Sequence, residues 1–250
     1  MIVNRYSYTK TEDYEIKGSK LIELTYLSDQ LFSQEETSEI LIVGERMGNE
    51  GVVQEVMKKN FQSILCTDII DIEKGYALDK IINSDSRVKF QKQDFVSFSE
   101  DKKFDYILCI NVLEHFGMNY YEYPGFEEVI SGDDYIRWNH DLRAIKKMIA
   151  LLKEGRNSKI IITVPIGQPI NIGDINDSNK MPFCRRYEIS RINYICEMVK
   201  SMKMNIENKY YYSPDFENWY DLDSRTMHAN NYGHISPNSS NGIWAFTIKK

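Results

Sequence analysis

The sequence predicts an α/β fold: a Rossmann-like, doubly wound, mostly parallel seven-stranded sheet with helices on both faces and an antiparallel last strand. Three observations predict it. Short apolar runs at 40–43, 63–68, 88–91, 104–110 and 159–165 alternate with helical or mixed segments, as in successive strand–helix–strand units. The first run passes directly into a turn containing Gly44 and Gly48, followed by the helical pattern Gly51-Val52-Val53-Gln54-Glu55-Val56-Met57. The first four runs end in polar or glycine residues, the position at which open sheets of this type bind ligands.

Taken in order, residues 1–17 are polar and tyrosine-rich, with no hydrophobic period. Leu21, Ile22, Leu24, Leu27 and Leu31 place an amphipathic helix over 19–34. After the first strand, Gly44, Glu45, Arg46 and Gly48 form the turn, and its middle position is Arg46 rather than a third glycine. The second run closes on Asp68 and Ile69, with Asp68 placed 24 residues beyond Gly44. An acid near this spacing, at the tip of the second strand, is positioned to accept hydrogen bonds from ribose hydroxyls; the bland alternative is that Asp68 merely starts a loop. Tyr76, Leu78, Ile81 and Ile82 mark a short helix and loop. The third strand leads to Asp94 and Phe95, and the fourth to Asn111, Val112, Leu113, Glu114 and His115.

Residues 117–134 combine glycine, proline and aromatics without a period and read as an ordered loop. Asp134 is then placed to cap a long helix with Tyr135, Trp138, Leu142, Ile145, Met148, Ile149 and Leu152 on its apolar face and Gly155 at its end. A second helix is expected over 188–201, and two last strands over 205–212 and 242–248. The whole chain, 1–250, reads as one domain. Its parts are an N-terminal segment and helix (1–37), a ligand-binding core (38–170) and an acceptor-side region with the last strands (171–250).

Composition narrows the function. A net charge of −6 and a pI near 5.4 lack the basic footprint of a nucleic-acid binder. Cys66, Cys109, Cys184 and Cys196 have no metal-type spacing and read as reduced thiols, which fits a cytoplasmic location. The N-terminus has no apolar core of a signal peptide, and no apolar run is long enough to span a membrane.

The segments GERMG, CTD, QDF and FDYILCINVLEHF, followed by LLKEG running into KIIITVP, resemble as a set the class I S-adenosylmethionine-dependent methyltransferases over roughly residues 38–170. The chain departs from that family at Ile42, where an acid is usual, and at Arg46. The stretch from His115 to Gly167, with VPIG and the later RRY, resembles a bacterial branch linked to surface-polysaccharide methylation. The resemblance implies S-adenosyl-L-methionine as cofactor and S-adenosyl-L-homocysteine as product. It places Gly44, Glu45, Arg46 and Gly48 near the amino-acid end, Asp68 and Ile69 at the ribose, Asp94 and Phe95 near the adenine, and Asn111 and Val112 beside the transferred methyl.

The acceptor expected is a small polar molecule, a sugar or sugar nucleotide, methylated on oxygen. A hydroxyl needs a base, and a histidine, whose reference pKa is about 6.5, suits the task at His115, beside Glu114 after the fourth strand; helix capping or cofactor-side packing is the alternative role for this pair. Candidate acceptor contacts are His140, the triplet Arg185-Arg186-Tyr187, and Trp219 and Tyr232 from the long aromatic segment 213–241. Solvated surface charge for the arginines and a self-packing lid for the aromatics are the competing readings. Asp133, Asp134, Asp174 and Asp177 offer hard oxygens, but no spacing specifies a metal and none is expected. A homodimer is allowed. A nitrogen, carboxylate or lipid-linked acceptor, and an inactive scaffold, stay open as alternatives.

Overall fold

A computed structural model describes residues 2–12, 15–31, 38–45, 48, 51–72, 74–97, 101–117, 139–155, 157–167, 185–223 and 241–250. An N-terminal ladder pairs β1 (Thr9–Lys10) with β2 (Glu15–Ile16) and precedes helix α1 (Lys20–Gln30). The main unit follows as β3 (Glu39–Val43), α2 (Val52–Met57), β4 (Ser63–Asp68), α3 (Ala77–Ser84), β5 (Val88–Lys92) and β6 (Tyr106–Ile110). It continues with α4 (His140–Leu151), β7 (Lys159–Pro165), α5 (Ile189–Ser201), β8 (Asn205–Tyr212), β9 (Tyr220–Leu222) and β10 (Gly242–Lys249).

The sheet order is β5-β4-β3-β6-β7-β10-β8-β9. The first five strands in that order are mutually parallel, and β10 enters antiparallel between β7 and β8. Among the described residues the main sheet has eight strands where seven were expected. The additional one, β9, pairs antiparallel with the outer side of β8 through Tyr210↔Leu222 and Tyr212↔Tyr220. Three residues reading Tyr-Asp-Leu carry no alternation long enough to announce a strand.

Both faces of the sheet are covered, so its central strands are buried along their lengths. Every residue of β6 and β7 is buried. Side chains alternate between the layers with the period of two that a strand imposes. Ile40, Ile42, Tyr106, Leu108, Ile161, Ile243 and Ala245 pack with α1, α2 and α3 on one face. Leu41, Val43, Ile107, Cys109, Ile160, Ile162, Trp244 and Phe246 pack with α4 and α5 on the other. Cys66, Cys109 and Cys196 are buried free thiols, and burial raises the pKa of each. Among the described residues no helix is long and apolar enough to cross a membrane.

Chain direction fixes where a ligand can sit. From β3 the chain moves outward to β4 and β5, then returns to place β6 on the other flank of β3. The order therefore reverses between β3 and β6, and the crevice beyond their carboxyl ends is the expected binding position.

Candidate active site

Gly44, immediately after β3, has φ +79° and sits against Val112, which follows β6. A β-carbon at Gly44 would fall 2.2 and 2.6 Å from the two Val112 γ-carbons, well inside van der Waals contact. The two strands flanking the switch point thus close to a distance that only glycine permits. The Gly44 N–H donates to the Thr67 carbonyl at 2.7 Å, tying the turn to the end of β4.

The rest of the turn is held by its own polar atoms. The Glu45 carboxylate, 9% exposed, accepts the Gly48 N–H at 2.6 Å, and the Gln54 amide donates to the Gly48 carbonyl at 2.5 Å. Gly48 is itself pressed against α3, because a β-carbon there would lie 2.7 Å from the Leu78 nitrogen. Burial first, and the Glu45 charge second, push the neighbouring Cys66 thiol up.

The adjacent strand ends continue this shelf. Asp68 and Ile69 are half-buried; the Asp68 Oδ1 accepts the Ile70 N–H at 2.9 Å, and the Asp68 carbonyl accepts the Gln93 N–H at 2.7 Å. Asp94 caps the short 3₁₀ turn Phe95–Ser97, accepting the Val96 N–H at 3.0 Å and the Ser97 hydroxyl at 2.9 Å. Phe95 is buried and meets the Phe116 ring edge-on at 6.2 Å. After β6, Asn111 adopts φ +56°, and its N–H donates to both the carbonyl and the hydroxyl of Thr163 on β7. A non-glycine residue in this region marks a backbone that its surroundings force into place.

A second 3₁₀ turn, Leu113–His115, projects from this point. The His115 side chain is 19% exposed and its Nε2 lies 4.0 Å from Oε1 of the buried Glu114. The carboxylate and the imidazole thus face each other across the turn.

The triplet Arg185-Arg186-Tyr187 is not solvated surface charge: the three residues are 6%, 5% and 1% exposed. The Arg185 N–H donates to the Glu114 carbonyl at 3.1 Å, and its guanidinium donates to the Phe116 carbonyl at 2.6 Å. The Tyr187 hydroxyl shares its one hydrogen between Asp141 on α4, at 3.1 Å, and the Leu113 carbonyl, at 3.3 Å; burial, then the Asp141 charge, raises its phenol well above the ordinary value. The expected acceptor role of Tyr187 is thereby corrected, since its hydroxyl is engaged inside the protein.

Trp219 requires the same correction. It is fully buried, its indole N–H donates to the Gly18 carbonyl at 3.2 Å, and its backbone pairs with Val3 and Asn4. The indole therefore anchors the N-terminal segment to the core. His140 stands in the first turn of α4, with Nε2 3.5 Å from the Arg143 guanidinium.

Arg46 and Tyr232 lie outside the described residues. So do Asp133, Asp134, Asp174, Asp177 and most of the loop expected at 117–134. Among the described residues no group of three or more His, Cys, Asp or Glu side chains is arranged to hold a metal. Sequence reasoning missed Asp141. Its partners are Tyr187, Arg185 at 3.4 Å and Arg191 at 2.5 Å, all more than 40 residues away, so no local motif announces it.

No family model and no curated protein matches the chain. Solved structures do. N-methyltransferase NodS from Bradyrhizobium japonicum WM9, in complex with S-adenosyl-l-homocysteine, aligns with TM-score 0.51 and 13% identity over 91% of this chain and 85% of that one. A 1,6-didemethyltoxoflavin-N1-methyltransferase from Burkholderia thailandensis aligns with TM-score 0.54 and 11% identity over 94% and 79% of the two chains. An S-adenosylmethionine-dependent methyltransferase from Clostridium acetobutylicum ATCC 824 gives 0.51 and 14% over 92% and 95%. With the doubly wound sheet, the antiparallel β10 and these alignments together, the chain has the methyltransferase Rossmann-like α/β fold.

Proposed function

We propose that this chain is an S-adenosyl-L-methionine-dependent methyltransferase that methylates a hydroxyl of a small polar acceptor, a sugar or sugar nucleotide. The observation that carries the cofactor reading is the contact of Gly44 with Val112 at the switch point, a cradle that a β-carbon would fill. The polar groups beside it fit the cofactor: carboxylates at the strand ends, Asp68 and Asp94, can accept hydroxyl or amine hydrogens.

When bound, S-adenosylmethionine supplies a methyl group on a positively charged sulfur, already activated for transfer. The turn from Gly44 to Gly48 would hold the amino-acid end, Asp68 the ribose, and Asp94 with Phe95 the adenine. Asn111 and Val112 would border the position where the acceptor oxygen must align, because positioning supplies much of the rate. His115 would take the proton of the acceptor hydroxyl, and Glu114 would stabilise the resulting imidazolium.

The sugar acceptor rests on the resemblance of the stretch 115–187 to a glycan-methylating branch, and it no longer draws on Trp219. A nitrogen acceptor is the second reading, because two of the aligned proteins are N-methyltransferases. The deciding experiment is calorimetric titration with S-adenosylmethionine and S-adenosylhomocysteine, comparing wild type with Asp68→Ala. The expected result is micromolar binding weakened about 10- to 150-fold by the substitution, the scale of hydrogen bonds to a charged group. Absence of binding to wild type overturns the proposal. Sugar nucleotides and amines are then compared as acceptors, and turnover of amines alone would replace the first reading with the second.

A further inference from the structure

A ring of buried charge stands directly behind the turn that carries His115. At its centre is Asp141, fully buried in the first turn of α4. Its Oδ2 accepts the Tyr187 hydroxyl at 3.1 Å and the Arg191 Nε–H at 3.1 Å, and lies 3.4 Å from the Arg185 guanidinium. Its Oδ1 accepts a second Arg191 hydrogen at 2.5 Å and the Leu142 N–H at 2.8 Å. A carboxylate so surrounded has little freedom to move. It sets the direction of two guanidinium planes and one phenol.

Two of those three partners end on the catalytic turn. Tyr187 reaches the Leu113 carbonyl at 3.3 Å. Arg185 reaches the two carbonyls on either side of His115: Glu114 through its own N–H at 3.1 Å, and Phe116 through its guanidinium at 2.6 Å. Arg185 therefore brackets the backbone of His115, and Asp141 holds the side-chain arm of that bracket. The segment is pinned in turn to the sheet: the Tyr187 N–H donates to the Pro165 carbonyl at 2.9 Å, and the Gly167 N–H to the Tyr187 carbonyl at 3.2 Å. Helix α4, the end of β7 and the residues before α5 thus meet at this one turn.

We infer that Asp141, acting through Arg185 and Tyr187, is the positioning residue of the His115 turn: it fixes the orientation in which the imidazole is presented beyond β6. Fully buried, it acts on the turn only through these two side chains. The purpose of the positioning rests on the methyltransferase reading above, whereas the positioning itself does not. An arginine is required at 185, because a planar guanidinium can face a carboxylate with one edge and a carbonyl with another, whereas a lysine ammonium at the end of a flexible stem offers no such fixed geometry.

The test is the ¹H–¹³C correlation spectrum of protein labelled at histidine Cε1. The four histidines give few peaks, and His115→Gln identifies the one required. Spectra at one fixed pH, without ligand, are compared for wild type, Arg185→Lys, Asp141→Asn and Tyr26→Phe. The last removes a buried hydroxyl bonded to Thr247 at 2.8 Å on the opposite face of the sheet and reports general loosening. In Arg185→Lys and Asp141→Asn the His115 peak is expected to shift, split or broaden at least twofold. In Tyr26→Phe it stays in place, and S-adenosylhomocysteine affinity stays within threefold in all three variants. A His115 peak that superimposes on wild type in Arg185→Lys, or that moves equally in Tyr26→Phe, overturns the inference. Arg185→Lys decides the matter alone if Asp141→Asn fails to fold. Failure of wild type to bind S-adenosylhomocysteine counts against the methyltransferase reading, because the His115 peak is read without ligand.

Discussion

The sharpest consequence of the strand-end geometry is the asymmetry between two glycines that share a backbone conformation. Gly44 and Gly75 have φ values of +79° and +84°. Alanine at either position incurs the left-handed penalty of about 1–2 kcal/mol, offset by about 0.4–1 kcal/mol from the stiffer unfolded chain. These contributions cancel in the comparison. What differs is space: among the described residues nothing lies within 4 Å of a β-carbon at Gly75, whereas at Gly44 it meets Val112 at 2.2, 2.6 and 2.9 Å. Relieving that overlap requires moving Val112 or separating β3 from β6, an overpacking cost of about 1–3 kcal/mol. Urea unfolding of the two variants should differ by that amount. With m near 2 kcal/mol per M, the midpoint of Gly44→Ala falls below that of Gly75→Ala by about 0.5–1.5 M. Calorimetry should add a second difference: Gly44→Ala loses S-adenosylhomocysteine binding at least tenfold, and Gly75→Ala keeps it. Equal midpoints together with equal affinities would refute the argument that a close approach at the switch point builds the cradle.

Other substitutions probe the remaining assignments. His115→Ala should abolish methylation of a hydroxyl acceptor by about 10²–10⁴-fold while leaving S-adenosylhomocysteine affinity within threefold; retained turnover removes His115 as the base. Trp219→Phe leaves space in the core and the Gly18 carbonyl without its indole donor, so thermal unfolding should show a loss of about 1–3 kcal/mol with ligand affinity unchanged. A large affinity loss there would restore a ligand role. Burial raises the Glu39 carboxyl, but hydrogen bonds from Lys102 and Lys153 outweigh it and hold the group below its ordinary value. Its contribution is therefore present above the unfolded value near 4.3 and is lost as pH falls through the lower folded value. Because these lysines are 42% and 36% exposed, the contribution stays below about 1 kcal/mol. Wild type should exceed Glu39→Gln in urea midpoint at pH 7, with the gap closing by pH 3.

The parallel core was legible because burial on both faces removes alternation and leaves unbroken apolar runs. The runs at 40–43, 63–68 and 159–165 became strands within a residue of their expected ends. The shelf residues were legible for a related reason: in this topology every parallel strand delivers its next residue to one edge of the sheet. What stayed hidden depends on contacts distant in sequence. Strand β9 exists because Tyr220–Leu222 finds the free edge of β8, not because of its own pattern. Trp219 looked like ligand-binding surface until the N-terminal segment proved to run across it, with Val3 and Asn4 bonded to its backbone. Arg185 and Arg186 read as acceptor contacts or as solvated charge because nothing near them in sequence supplies the Asp141 carboxylate that makes burial of Arg185 tolerable.

The departure from a three-glycine turn is also explained by the neighbours rather than by the motif. A glycine is needed where another chain segment occupies the space of a β-carbon, and the two outer positions of this turn each meet such a segment. At Gly44 it is the Val112 side chain across the switch point; at Gly48 it is the backbone of Leu78 at the start of α3. The turn between them gains a different brace: Glu45, whose buried carboxylate takes the Gly48 N–H at 2.6 Å and so spans the interval from within. A carboxylate accepting a main-chain hydrogen bond in a nearly dry site is a stronger tie than a neutral pair. The spacing of Gly44 and Gly48 thus reflects two separate packing demands joined by one side chain. The approach of β3 to β6, on which the crevice depends, is set by the first of these demands, the contact of Gly44 with Val112.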